Sequence, residues 1–254
     1  MTKSVDYFYT NCKDAMQTAE AIEERLGIVT SPLGDTRTLD SYRVTDEALY
    51  IDPNKPFIVF NGDGYFHNST LGIVKDLIKK RRQNGQPEIS YVHIDGHDDI
   101  APPEPDNFES YKSFVLGIDA FNRGGVHILQ EGLTGQQDGG FIQPSGPESW
   151  GETTDTLRDP YAYVSIDIDV LDIDALRHGS GIYHLFPQSP IGFDTSRLNA
   201  NITAINKMAQ FVGADIVGFS RSGASEPVIS QSYDNIAKLT EKLVEGLTAE
   251  STLL

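Results

Sequence analysis

Two short apolar runs that end abruptly in acidic side chains are the feature that most constrains this chain. In the first, YVHI (residues 91–94) leads directly into DGHDD (95–99). In the second, YVSI (163–166) leads into DIDVLD (167–172). Runs of β-branched and aromatic residues of this length predict strands. The two segments therefore predict a sheet whose strands carry clusters of carboxylates and imidazoles at their carboxyl ends.

The spacing within these clusters suits a metal site. Asp95, His97 and Asp99 alternate, and alternate side chains of an extended chain leave on the same face. Two carboxylates and one imidazole suit a hard or borderline divalent cation such as Mn²⁺, whereas a set without thiolates argues against a structural zinc cage. A single Asp-x-Asp is more often a turn or a helix cap. Two acidic clusters that close apolar runs favour the metal interpretation, because their like charges repel unless a cation neutralises them.

Both clusters resemble motifs of one enzyme family. The segment DGHDD (95–99) resembles the Asp-Ala-His-x-Asp motif of the arginase, agmatinase and formimidoylglutamase family, the ureohydrolases. The segment SIDIDVLD (165–172) resembles its Ser-x-Asp-x-Asp-x-x-Asp-Pro motif, and the order and separation of the two also fit. The resemblance implies that a binuclear manganese centre is held by Asp95, His97, Asp99, Asp167 and Asp169.

A third segment departs from the family pattern. The family's remaining ligand is a His in a Gly-Gly-Asp-His motif on an earlier strand. Here PFIVF (56–60) predicts that strand, but Gly64 stands where the His would fall. His67, three residues further on, is the candidate for the missing ligand. A helix that begins near His67 would turn its imidazole back toward the strand ends; the alternative is a helix residue with no metal.

Alternating strand and helix patterns predict the fold class. Apolar residues at helical spacing follow the strand-like runs, as in residues 71–78, 198–212 and 236–247. Such alternation is typical of a mostly parallel sheet covered on both faces. A chain of 254 residues is long enough for one large α/β domain, so we expect residues 1–254 to form a single catalytic domain. The resemblance implies a three-layer α/β/α sandwich of the arginase and deacetylase type.

The chain is strongly acidic. Its 20 Lys and Arg residues against 37 Asp and Glu residues give a formal net charge of −17, which disfavours nucleic acids and anionic membranes as partners. Attraction of a small cationic substrate is one interpretation of this charge, and solubility alone is the other. One cysteine, a polar amino terminus and the lack of an apolar run near the roughly 20 residues of a membrane span favour a cytoplasmic protein. The family resemblance implies a homo-oligomer.

The resemblance also implies a reaction. Two divalent ions bridged by carboxylates lower the pKa of a shared water, so that hydroxide forms at physiological pH. In the ureohydrolases this hydroxide attacks a guanidinium or formimino carbon, and an aspartate carries a proton to the leaving amine. The motif match gives that role to Asp99. We therefore predict a hydrolase that cleaves a non-peptide C–N bond of a guanidino, formimino, amidine or amide substrate.

The substrate side departs further from the family. The Glu that helps to hold the guanidinium aligns with Gly218, so Glu226 is the candidate substitute, and Arg221 suits a carboxylate on the substrate. His178 and His184, in the loop after the second motif, are candidates for substrate binding or proton transfer, and ordinary surface histidines are the alternative. Residues 132–159, rich in Gly, Gln, Pro and Ser, are expected to form a flap over the strand ends.

Two alternatives stay open at the level of the sequence. A deacetylase-like amidohydrolase shares the fold but keeps a single ion, whereas Asp99 and Asp169 favour two. A non-catalytic member that binds a small molecule is suggested by the departures at Gly64, Gly218 and Ile173, the last of which replaces the closing Pro of the second motif. Metal stoichiometry and the release of ammonia or urea distinguish these possibilities.

Overall fold

A parallel β-sheet runs through the part of the chain that the computed structural model describes. That part comprises residues 4–34, 49–62, 67, 69–95, 115, 117–118, 128–131, 157, 159–168, 195–219, 221 and 226–249. These residues contribute the strands β1 (Asp6–Tyr9), β2 (Ser31–Pro32), β3 (Phe57–Phe60), β4 (Ser90–Ile94), β5 (Ile128–Glu131), β6 (Tyr161–Asp167) and β7 (Gln210–Val217). Their order across the sheet is β2-β1-β3-β7-β6-β4-β5, and each strand is parallel to its neighbours.

Helices cover both faces of this sheet. Within the described ranges they are α1 (Lys13–Leu26), α2 (Ser69–Gln83), α3 (Thr195–Met208) and α4 (Glu226–Thr248). The apolar side of α2 packs on one face of the sheet, and α1, α3 and α4 pack on the other. None of the described helices is long and apolar enough to cross a membrane. The predicted α/β/α sandwich with a mostly parallel sheet is confirmed.

Burial on both faces explains why the central strands are continuously apolar. Alternation sends Ile58 of β3 and Val164 of β6 into the core beneath α1, α3 and α4, whereas Phe57 and Tyr163 point toward α2. All of these side chains are at most 1% exposed. Each stabilises the fold by roughly 1.5–3 kcal/mol relative to an exposed position. The sheet is therefore a rigid platform for whatever follows its carboxyl ends.

A row of polar residues interrupts the apolar face that packs against α2. In the pairing register, His93 of β4 lies beside Ser165 of β6, and Ser165 lies beside Asp215 of β7. All three are completely buried. Two residues further along their chains, Asp95 follows His93 and Asp167 follows Ser165, so the same face carries more polar groups toward the carboxyl edge. Parallel strands thus gather buried polar side chains from separate parts of the sequence at one place.

Candidate metal centre

His67 lies between the end of β3 and the first turn of α2. Its carbonyl oxygen accepts a hydrogen bond from the amide of Thr70 at 3.0 Å, so the chain is already turning into the helix. The imidazole is buried, and its Nδ1 lies 3.1 Å from Oδ2 of Asp95 and 3.5 Å from Oδ2 of Asp167. The structure therefore brings His67 together with two of the predicted ligands. Metal binding by these three residues stays a prediction.

His93 joins this cluster from within β4. Its Nε2 lies 3.0 Å from the same oxygen of Asp95, and its ring centroid is 5.2 Å from that of His67. Tyr91, two residues earlier on the same face, stacks on the His93 ring at 5.9 Å and fixes its orientation. Sequence reasoning missed His93. The signal that could have found it is its alternation with Asp95, because residues two apart in a strand share a face.

The distances within the cluster fit a coordinated cation. Metal–ligand bonds of about 2.0–2.2 Å place neighbouring ligand atoms roughly 3–3.5 Å apart. The three separations here are 3.0, 3.1 and 3.5 Å. One ligand atom each from His67, His93 and Asp95 also lie within 4.8 Å of one another. Imidazoles combined with carboxylates suit Mn²⁺, Fe²⁺ or Zn²⁺, so the described residues fit a divalent ion of this group.

Gly218 leaves room for the carboxylate of Asp167. Its φ is +97°, a left-handed conformation that non-glycine residues rarely adopt, and a Cβ at this position would overlap Oδ1 of Asp167. Its amide donates a hydrogen bond to the carbonyl of Gly62 at 3.0 Å, which ties the end of β7 to the end of β3. This backbone therefore leaves no space for the Glu that the family resemblance aligns with position 218.

A third buried carboxylate, Asp215, lies behind His67. Asn61 Nδ2 donates to Oδ2 of Asp215 at 2.7 Å, and the Thr70 hydroxyl donates to the same oxygen. Burial raises the pKa of Asp215, while the nearby His67 and the hydrogen bonds from Thr70, Ser165 and Asn61 oppose this shift. On this same side of His67, Nε2 lies 3.0 Å from Oγ of Ser165. Sequence reasoning assigned no role to Asp215, Asn61 or Thr70.

The remaining predicted site residues have different outcomes. His97, Asp99, Asp169 and His184 lie outside the described residues, as does the segment 132–159 apart from Leu157 and Asp159. Glu226 is described, and it begins α4 with a side chain that is 81% exposed. Arg221 donates to its Oε1 at 3.2 Å. The two side chains therefore pair with each other at the surface, and their predicted roles toward the substrate stay predictions.

Comparisons with known proteins give matches at the level of structure. The sequence matches no protein-family model, and it also matches no curated protein. The fold resembles that of the agmatine ureohydrolase of Thermoplasma volcanium, with a TM-score of 0.67 and 18% identity over 97% of this chain and 90% of that one. The arginase from Bacillus subtilis gives a TM-score of 0.67 at 15% identity, over 99% of this chain and 100% of that one. This chain has the ureohydrolase fold.

A third neighbour extends this result. The formimidoylglutamase from Bacillus subtilis subsp. subtilis str. 168 gives a TM-score of 0.65 at 14% identity, over 98% of this chain and 88% of that one. The likeness therefore covers nearly the whole chain. Because the identities are low, these comparisons show a shared fold. The arginase-type fold expected from the two motifs is confirmed.

Proposed function

We propose that this chain is a metal-dependent hydrolase that cleaves a non-peptide C–N bond. The observation that supports this most is the approach of His67 Nδ1 to within 3.1 Å of Asp95 and 3.5 Å of Asp167, at the strand ends of a ureohydrolase fold. These three buried groups come from three separate parts of the chain. A buried cluster of this composition at the carboxyl edge of a parallel sheet is where ligands of such folds bind.

The proposed metal site combines described residues with residues of the two motifs. His67, Asp95 and Asp167 would hold divalent ions together with His97, Asp99 and Asp169, and two Mn²⁺ ions per chain are the proposed content. When bound, such ions lower the pKa of a water and supply hydroxide at physiological pH. Sites rich in oxygen and imidazole ligands bind divalent ions that can perform this role, such as Mn²⁺.

Side chains of the protein would then orient the metal ligands and protonate the leaving amine. His93 Nε2, 3.0 Å from Asp95, holds that carboxylate in place from the buried side. The completely buried His93 and Ser165 also exclude bulk water from beneath the site. Asp99 would carry the proton to the leaving amine nitrogen, and His184 would assist in proton transfer. Strands β4 and β6 would provide the rigid base of the site.

The net charge of the chain and the proteins of similar fold support a class of substrates. The structures of similar fold include an agmatine ureohydrolase, a proclavaminate amidino hydrolase and a formimidoylglutamase, so guanidino, amidino and formimino compounds form the natural panel. The net charge of −17 attracts cationic compounds of this kind. Glu226 and Arg221 would contact the polar ends of the substrate. By the family resemblance we propose a homo-oligomer, and the single cysteine supports the proposal of a cytoplasmic location.

Metal content and turnover test this proposal together. Metal-free protein is loaded with Mn²⁺, analysed for metal by mass spectrometry, and assayed for release of urea or ammonia from the panel. We expect two Mn²⁺ per chain and hydrolysis of at least one compound. In Asp95→Asn, kcat should fall by roughly 100-fold or more with loss of bound metal. The control Asp52→Asn changes an exposed carboxylate and should keep both.

The other outcomes identify the alternatives. One tightly held Zn²⁺ per chain with release of acetate from an acetylated amine would support the single-ion deacetylase type. Bound metal without turnover of any compound in the panel would support a binding protein that retains the fold. Loss of metal in Asp52→Asn to the same extent as in Asp95→Asn would contradict the buried site, because it would show that exposed carboxylates hold the ion.

A further inference from the structure

Asp215 is a buried carboxylate that the proposed chemistry does not use, although four donors surround it. Asn61 and Thr70 donate to Oδ2, and the hydroxyls of Ser165 and Tyr163 approach the same carboxylate. Among the described residues, Oδ1 of Asp215 and the Tyr163 hydroxyl have no hydrogen-bond partner. A carboxyl group enclosed by donors acts as an acceptor.

The position of Asp215 determines where the Ser165 hydroxyl proton points. Ser165 lies beside Asp215 in the register of β6 and β7, and its hydroxyl interacts with that carboxylate. A hydroxyl has one proton to donate. When that proton points to Asp215, Oγ of Ser165 presents only lone pairs to His67 and can act only as an acceptor there. His67 Nε2, 3.0 Å away, must then be the donor in the His67–Ser165 hydrogen bond.

This direction of donation fixes the tautomer of His67. A neutral imidazole carries one N–H, so a proton on Nε2 leaves Nδ1 as an acceptor. Nδ1 faces Oδ2 of Asp95 at 3.1 Å and Oδ2 of Asp167 at 3.5 Å. Three acceptor atoms that face one another repel, and a cation between them removes this repulsion. The hydrogen bonds at Nε2 of His67 therefore leave Nδ1 free of a proton and able to bind a metal ion.

We propose that Asp215 is a positioning residue, which acts through Ser165 to hold His67 as the Nε2–H tautomer and so presents Nδ1 to a cation beside Asp95 and Asp167. The inference deepens the proposed function and rests on it for the nature of the cation. The tautomer itself is independent of catalysis. In metal sites, outer hydrogen-bond partners of this kind fix the tautomer and the ring orientation of histidine ligands.

The surroundings of Asp215 show why this arrangement is rigid. Thr70 belongs to the first turn of α2, three residues after His67, and Asn61 directly follows β3. Ser69 donates to Oδ1 of Asn61 at 2.9 Å and keeps that amide in its orientation. The cluster thus joins β3, β6, β7 and α2 through hydrogen bonds. Burying a carboxylate costs free energy unless hydrogen bonds compensate for it. Here the hydrogen-bonded carboxylate lies directly behind the imidazole that faces the predicted site.

Nuclear magnetic resonance measures the tautomer directly. The metal-free protein is labelled with ¹⁵N, and the imidazole ¹H–¹⁵N correlations are recorded, because they distinguish the two tautomers and the doubly protonated form. We expect His67 as the Nε2–H form in the unmodified protein. In Asp215→Asn an amide can donate to Ser165 and reverse its hydroxyl, so the population should move toward the Nδ1–H form. Ser165→Ala should give a mixture of both forms.

Calorimetry with Mn²⁺ alone gives the second readout. Affinity should fall by about 10–100-fold in Asp215→Asn and in Ser165→Ala. Ser165→Thr keeps the hydroxyl and should restore the affinity to within about threefold of the unmodified protein. The matched control is Thr240→Ala, a buried hydroxyl of α4 that donates to the carbonyl of Ile236 at 2.8 Å. It should change thermal stability while the His67 tautomer and the Mn²⁺ affinity stay the same.

The two readouts separate this inference from the proposed function. An Nδ1–H or doubly protonated His67 in the unmodified protein would overturn the inference, as would unchanged Mn²⁺ affinity in both variants. If the unmodified protein binds no Mn²⁺, the proposed function fails and the tautomer measurement alone decides the inference. If Asp215→Asn does not fold, the comparison of Ser165→Ala with Ser165→Thr decides it in the same way.

Discussion

Gly218 is the single residue at which backbone conformation and site geometry depend most directly on each other. Its positive φ allows the chain to turn away from β7, and the lack of a side chain lets the Asp167 carboxylate lie against the backbone. Any larger residue must displace Asp167 or change φ. Since Asp167 Oδ2 faces His67, the glycine acts on the predicted metal site without contributing a polar atom to it.

Gly218→Ala should therefore be much more costly than an ordinary glycine substitution. We expect the free energy of unfolding to fall by about 2–4 kcal/mol, from roughly 1–2 kcal/mol of backbone strain together with the displacement of Asp167. Gly85→Ala is the control, because Gly85 has a φ of +65° but open space around its Cβ position. Only the strain of about 1–2 kcal/mol applies there. Urea denaturation measures both variants, and equal losses would contradict the overlap with Asp167.

At the scale of the element, helix α2 presents its first turn to the site and is anchored at its other end by Arg81. Arg81 lies in the basic end of this helix, residues 79–82, and is only 4% exposed although arginine is mostly exposed in folded proteins. Its Nε and Nη2 donate to the carbonyl of Pro87 at 3.1 and 3.0 Å, and its guanidinium lies 4.9 Å from the ring centroid of Tyr161. This face of α2 turns toward the sheet, so the side chain packs on β6.

Replacing Arg81 should destabilise α2 and the turn that leads into β4. A lysine cannot make both hydrogen bonds to Pro87 and stacks less well on Tyr161, so Arg81→Lys should cost about 1–2 kcal/mol of unfolding free energy. Arg82→Lys is the matched control one residue away, since Arg82 pairs with Glu88 at the exposed surface. Its cost should stay within about 0.5 kcal/mol. Thermal or urea unfolding distinguishes the two, and equal effects would show that the burial of Arg81 is unimportant.

The predicted metal site depends on the assembly of the whole molecule. His67 and Ser165 are 98 residues apart in the chain, yet their polar atoms are 3.0 Å apart. The acceptors around His67 exist as a cluster only when β3, β4, β6 and β7 pair in their observed register. A cation that binds this cluster therefore binds the folded state and not the unfolded chain, and it stabilises the fold by mass action.

Added Mn²⁺ should accordingly raise the thermal midpoint of the protein. At 100 times the dissociation constant the stabilisation is about 2.7 kcal/mol, which corresponds to roughly 5–10 °C for a chain of this size. Calorimetric scans with Mn²⁺ and with a chelator measure the shift. His67→Asn should abolish it, whereas Asp52→Asn, which changes an exposed carboxylate, should retain it. The same shift in His67→Asn would mean that the ion binds elsewhere.

Local patterns were sufficient for the architecture and for part of the site. The alternation of apolar strands with helical stripes predicts a parallel α/β sandwich, because each strand and each helix shows its own periodicity in the sequence. The acidic ends of β4 and β6 predict that Asp95 and Asp167 meet, since the carboxyl ends of parallel strands share one edge of the sheet. The family resemblance made His67 the candidate for the missing ligand, and the structure places it beside Asp95. Its binding of a metal stays a prediction.

Only the tertiary structure decided which buried residues surround this cluster. His93, Ser165 and Asp215 occupy interior positions of strands that are far apart in sequence, and nothing within each strand shows that they are neighbours. The contact of Arg81 with Tyr161 and the space that Gly218 leaves for Asp167 have the same origin. Periodicity specifies which face of a strand or helix is buried, because it is a local property. Register and strand order specify what meets on that face, and they are set by the packing of the whole sheet.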